Sequence, residues 1–215
     1  RHDGVPRLPG LTDLEAIIAA RPELVLVSTF SGADRDRIQR LRDSGIAVCD
    51  LGPAGGLREL AVNLRRVGAL VGRPERGEAI AARLERGLAA VAARLPADRP
   101  RPRALVLTPA GEQVYGGTVG SSYHDIVVAA GLVDAAAGRF AEAWPELGAE
   151  AAIAIDPDVI VTRAGAAAAL ARLPGFAELR AVRSGAVIEL PLELFDSPGV
   201  SMLDAAELLH RRAFP

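Results

Sequence analysis

The residue types that could do chemistry crowd into one stretch, Val114 to Asp125 (VYGGTVGSSYHD), which follows an aliphatic run and opens a helical pattern. Both tyrosines of the chain, Tyr115 and Tyr123, lie in it, beside His124. In an open α/β sheet, ligands bind beyond the carboxyl ends of the strands, where such a loop falls. Gly116, Gly117 and Gly120 would let the backbone come close to a ligand. The free N–H groups at the helix start, near Ser121, could take a carboxylate, a phosphate or an amide oxygen. The same residues also suit a plain glycine-rich turn with Ser121 as the helix cap. Ser122, His124 and Asp125 invite a hydrolase reading. One local cluster on a helix start does not supply a triad's geometry, however, and no G-x-S-x-G elbow exists. Trp144, the single tryptophan, could stack on a flat ligand or pack against its own short helix. His210 suits the dipole at the end of the last helix. Cys49 is the only cysteine, so an internal disulfide is excluded, and it reads as a small buried hydrophobe. No two histidines, cysteines or carboxylates have the spacing of a preformed metal site.

Composition narrows the classes. The 215 residues are half hydrophobic, enough for one large domain or two small ones. A net charge of −2 leaves no nucleic-acid footprint. All 25 basic residues are arginine. The absent lysine excludes a GK[ST] phosphate loop, Schiff-base chemistry and a kinase-type lysine. Neither a signal peptide nor an apolar run of about 20 residues that could span a membrane is present. The opening RHDGVPRLPG caps no element, as in a mature or trimmed product.

These residues must be positioned by the elements around them, and the pattern is α/β. Thr12 can cap a short helix over 13–20, with Glu15 completing a capping box. ELVLVS (23–28) reads as a parallel strand covered on both faces. Helix 33–43, strand 46–50 and helix 57–71 follow. Residues 73–95 carry an apolar stripe of Ile80, Leu84, Leu88, Val91 and Leu95, and so predict one helix about 33 Å long. Beyond it come strand 104–108, a loop over 109–120, a helix to residue 130, helix 150–155, strand 158–162, helix 166–173, strand 186–190 and helix 201–212. LEAIIAARPELVLV (14–27) and AEAAIAIDPDVIV (149–161) share a glutamate seven residues before a proline, then an acid and an aliphatic strand. A repeated helix–Pro–acid–strand unit on either side of a long helix implies two similar lobes.

With these segments the chain resembles the binding-protein components of ABC importers for ferric siderophores, haem and cobalamin, the class III periplasmic binding proteins. The resemblance is carried by LEAIIAARPELVLV, LRDSGIAVCDLG, LRRVGALVGRPERGEAIAARL, WPELGAEAAIAIDPDVIV, LPGFAELRAVRSGAVIELP and SPGVSMLDAAELL, which cover nearly the whole chain in order. It implies two Rossmann-like lobes with parallel sheets joined by one long rigid helix: a first lobe over 1–72, the helix and linker over 73–102, and a second lobe over 103–215. It implies a non-enzymatic, monomeric, periplasmic or extracytoplasmic protein with no intrinsic cofactor. Such a protein captures cobalamin foremost, or haem or a ferric siderophore, in the cleft between the lobes and docks on an ABC permease with its ATPase subunits. Tyr115, Gly116, Gly117, Ser121, Trp144, Phe195 and Asp196 become the expected ligand contacts, with Tyr115 or His124 as the iron ligand if the cargo is haem. A WP pair like that at Trp144 is frequent in the cobalamin binders. Glu15 matches the first permease-docking glutamate, and Glu193 or Glu150 the second. Family members carry one more strand–helix unit before the segment that starts here, so the first lobe is expected to be incomplete. Two other readings follow from the same features: a ligand-free sensory or scaffold domain, from the missing unit, and a small α/β phosphate-binding enzyme, from the glycine-rich loop.

Overall fold

The computed structural model describes residues 11, 13–28, 32–52, 56–95, 98–195 and 199–215. The chain divides into two compact units, Arg1–Ala54 and Gly55–Pro215. In the first, α1 (Leu14–Ala19), β1 (Leu24–Val27), α2 (Gly32–Asp43) and β2 (Ala47–Asp50) alternate. The two strands pair in parallel, from Leu24 opposite Ala47 to Val27 opposite Asp50. Ile17, Val27, Ile38 and Leu41 are buried. The helix cap is Asp13, whose Oδ1 accepts the N–H of Ala16 at 2.9 Å. The expected cap Thr12 lies outside the described residues. With Asp13 at the cap, Glu15 sits at the second helical position, one short of a capping box. Strand β1 is covered less than its sequence implies: Val27 is buried, but Leu26 on the other face is 39% exposed. An aliphatic run fixes the strand, not the number of layers the rest of the unit brings to cover it.

The second unit opens with α3 (Leu57–Leu70) and α4 (Pro74–Ala92), an antiparallel pair. Pro74 starts α4, where its missing N–H costs nothing. The two helices touch at Gly68 and Gly77, so closely that a Cβ on Gly77 would lie 2.7 Å from the Leu64 carbonyl oxygen. Gly87, on the same helix, makes room for Leu203. These glycines lower helix propensity and are repaid in close packing. Arg65 on α3 bridges Glu78 and Glu85 on α4 at 2.7 and 2.8 Å. The pairing raises the arginine's pKa and lowers those of both glutamates. Ala81, Leu84 and Val91 of α4 are buried. Ala81 and Leu84 join Leu57 and Ala61 of α3 in one core, and α3 and α4 therefore belong to the second unit. The compact units divide after Ala54, because this packing outweighs proximity in sequence.

The sheet of this unit is built from β3 (Arg103–Ala110), β4 (Gln113–Gly116), β5 (Val133–Asp134), β6 (Val159–Arg163) and β7 (Val187–Leu190). The order is β4-β3-β6-β7, with β5 beside the start of β3. β3, β6 and β7 are parallel, whereas β4 returns antiparallel to β3 in a hairpin. Alternate residues feed two cores. Ala104, Val106, Val159 and Val161 pack under α3, α4, α5 (Ser122–Ala129) and α10 (Ser201–Ala213). Leu105, Leu107 and Ile160 pack under α6 (Ala149–Ile155), α7 (Ala167–Leu170), the 3-10 turn Phe176–Glu178 and α8 (Arg180–Arg183). Helices on both faces are what near-continuous aliphatic strands require. A one-turn helix, α9 (Leu192–Phe195), precedes α10. His210 on α10 is buried, and its Nδ1 lies 3.1 Å from the Ala130 carbonyl. That ring nitrogen must carry the proton, so the side chain ties α10 to α5 as well as sitting near a helix end. Cys49 is half-buried.

The predicted repeat reappears in the backbone. Arg21 and Asp156 are the only non-glycine residues with positive φ among those described, at +47° and +45°. Each ends a helix and precedes a proline and then a strand, so both units leave the helix through the same left-handed step. At the second copy, Arg103 donates to the carbonyls of Ile155 and Asp156 at 2.8 and 2.9 Å. These are carbonyls the end of α6 leaves open.

Candidate functional site

The hairpin strand β4 organises the site. Residues 143–147 run antiparallel to residues 114–118 in one continuous register. Leu147 N–H donates to Val114 O at 2.8 Å, Gly116 N–H to Pro145 O at 2.8 Å and Thr118 N–H to Ala143 O at 3.0 Å. Tyr115 stands opposite Glu146. Side chains alternate along a strand pair, so Gln113, Tyr115 and Gly117 share one face with Trp144 and Glu146. Val114 and Leu147, on the other face, are buried in the core below.

On the shared face Trp144 is 46% exposed. Its ring meets Tyr123 edge-on, with centroids 4.7 Å apart, and Tyr123 in turn packs on Phe195 at 4.2 Å. Tyr123 and Phe195 are buried, so the indole stands on a fixed aromatic base. Gly117 exists for this stack: a Cβ there would lie 2.4 Å from a Tyr123 ring carbon. Gly116 is likewise required by Leu147, which would meet its Cβ at 2.4 Å. The glycine pair thus serves the protein's own packing, which glycine content alone cannot distinguish from a ligand approach. Gly120, at φ +91°, turns the chain into α5.

The helix start is also internally satisfied. Ser121 is buried, accepts the His124 N–H at 3.3 Å and donates to Thr118 O at 2.7 Å. The buried carboxylate of Asp134 takes three donors: the Thr118 hydroxyl at 2.7 Å, the Ala136 N–H at 2.9 Å and His124 Nδ1 at 2.7 Å. Carboxylate oxygens only accept, so His124 carries its proton on Nδ1 and leaves Nε2 outward. Asp125 caps α3, accepting the Leu57 N–H at 2.6 Å. His124 is therefore tied to Asp134 and Asp125 to the start of α3, so with the buried Ser122 they form no triad.

The structure brings Tyr115, Gly117 and Trp144 together on one face. Gly116, Ser121 and Phe195 are buried within the protein, and Asp196 lies outside the described residues. Glu15, Glu150 and Glu193 are all exposed, on α1, α6 and α9. Gln113 was missed because 109–120 reads as a loop, although the polar–apolar–polar alternation Gln113-Val114-Tyr115 was a signal for β4, and Glu146 because its place opposite Tyr115 shows only in the fold. No group of three or more potential metal ligands occurs among the described residues, and no helix among them is long and apolar enough to cross a membrane.

A family model described as "Periplasmic binding protein" matches residues 7–194, and the chain belongs to that family. The family is one of binding proteins, not enzymes, and a bound molecule is cargo rather than an intrinsic cofactor. The chain is 23% identical over 208 residues to an uncharacterized ABC transporter substrate-binding lipoprotein, YvrC, of Bacillus subtilis (strain 168), covering 94% of this chain and 65% of that one. It is 29% identical over 156 residues to a cobalamin-binding protein of Halobacterium salinarum (strain ATCC 29341 / DSM 671 / R1), covering 72% of this chain and 41% of that one. The chain thus spans less than two thirds of the length of either curated relative. Among solved structures it matches the periplasmic heme-binding protein BhuT in complex with two hemes, with a TM-score of 0.79 and 26% identity, covering 93% of this chain and 78% of that one.

Proposed function

We propose that this chain is the solute-binding part of an ABC importer, that it works outside the cytoplasm, and that it captures a flat metal-containing macrocycle or iron chelate and hands it to a permease with ATPase subunits. The observation that carries the reading is Trp144, exposed on the Tyr115 face and held from below by Tyr123 and Phe195. An indole fixed in this way offers a large apolar contact at little cost in conformational entropy. A corrinoid is the favoured cargo, with haem or a ferric siderophore next; the Halobacterium and BhuT names support a cargo of this general class. For haem, Tyr115 is the better iron ligand, since it shares the Trp144 face. Glu15, together with Glu150 or Glu193, is proposed to meet the permease. The test is an absorbance titration with cyanocobalamin and with haemin, each followed by desalting. A pigment band that co-elutes at about one equivalent supports the reading and picks the cargo. Loss of both pigments from a folded protein refutes it.

A further inference from the structure

Around Trp144, the polar groups have a definite hydrogen-bonding sense. Tyr115 O–H donates to Gln113 Oε1 at 3.0 Å. Gln113 Nε2 sits 3.4 Å from both carboxylate oxygens of Glu146. Glu146 can only accept, so the amide must turn its NH2 toward it and its oxygen toward the tyrosine. The chain of bonds thus uses the tyrosine's donor and aims the amide's donors at the carboxylate. What remains toward solvent is mainly acceptor: the oxygens of Glu146 and the lone pairs of Tyr115. Among the described residues no arginine pairs with Glu146, and the chain contains no lysine to do so.

We infer that the Gln113–Tyr115–Glu146 cluster selects cargo whose rim carries N–H donors, such as primary carboxamides, and rejects the same ring bearing carboxylates. The inference rests on the binding reading above and adds its specificity determinant. A carboxamide edge meets the cluster with donors, whereas a carboxylate edge meets Glu146 with like charge and unpaired acceptors. Glu146 sets the sign of the selection, while Gln113 and Tyr115 orient it.

A matched pair of probes isolates the effect: dicyanocobinamide, with amide side chains, and dicyanocobyrinic acid, with carboxylates on the same ring. At neutral pH and low salt, the amide form is expected to bind at least about tenfold more tightly, as like-charge contact demands. Glu146→Gln should improve the acid and close most of that gap. Glu178→Gln removes the same charge from an exposed position on the 3-10 turn and should leave the ratio unchanged. Trp144→Ala should weaken both probes. Equal affinity for the two rings overturns the inference, as does a gap that survives Glu146→Gln or one that Glu178→Gln closes as well. If those results come with Trp144-dependent binding, the binding reading stands without its specificity claim. If neither ring is retained by the folded wild-type protein, both fall.

Discussion

Gly77→Ala tests how the second unit is held together. The new Cβ would stand 2.7 Å from Leu64 O and 3.0 Å from Gly68 Cα, against ordinary contact beginning at 3.4 Å. The shortfall to the carbonyl is therefore about 0.7 Å (3.4 − 2.7). Both obstacles are backbone and cannot rotate away, so α3 and α4 must part. Overpacking of this kind costs about 1–3 kcal/mol. Alanine returns about 1 kcal/mol through better helix propensity. The contacts are backbone on both sides, which argues for the upper part of the range and a net loss of about 1–2 kcal/mol. For a chain of this size that lowers Tm by about 2–8 °C. Gly87→Ala is the internal comparison, because its obstacle is the end of the Leu203 side chain, which can turn aside. It should change stability by no more than about 0.5 kcal/mol, as its propensity gain offsets the cost of turning that side chain aside. Thermal unfolding of the three proteins by circular dichroism reads the result. A Gly77→Ala protein as stable as wild type, or more so, would refute the close helix contact.

Two further perturbations address other joints of the unit. Asp125→Ala removes the carboxylate that accepts the Leu57 N–H, and should cost about 0.5–2 kcal/mol in denaturant unfolding, the usual worth of a helix cap; an unchanged midpoint would show that α3 is capped in another way. Asp158 accepts the Arg103 N–H and pairs with Arg180 at 3.0 Å, and these contacts, the backbone bond first, hold its pKa below the usual carboxylate range. A depressed folded-state pKa contributes stability that is present above the unfolded value and lost as pH falls through the folded one. The loss should therefore begin below about pH 4, and Asp158→Asn should be less stable at pH 7 but lose less on acidification; parallel stability–pH curves for the two proteins would contradict this.

Much of the layout was legible because it rests on local rules. Long periodic segments such as 57–70 and 74–92 announce helices, and the aliphatic runs at 103–110 and 159–163 announce buried strands. The match between 14–27 and 149–161 held down to the left-handed residue before each proline. What stayed hidden depends on distant partners. Strand β4 gains its identity by pairing with β3 and with residues 143–147, neither visible in its four residues. Gly116 and Gly117 read as room for a ligand, yet each is required by a neighbouring side chain that only the fold supplies, and the close contact of Gly68 with Gly77 is equally invisible before folding. The division after Ala54 was not legible either, since it reflects packing of α3 and α4 on a core whose other members lie beyond residue 103. Within the site, Tyr115 and Trp144 could be singled out by type, but Glu146 could not, because its role follows from standing opposite Tyr115.

The central claim, that cargo stacks on Trp144, has a direct optical test, because this residue is the only tryptophan in the chain. Its fluorescence should be followed while dicyanocobinamide is added, with retained pigment measured by desalting in parallel. Near-complete quenching that saturates at about one equivalent is expected, together with the retained corrin. A corrin that stays with the protein while Trp144 emission is unchanged would place the binding site elsewhere and contradict it.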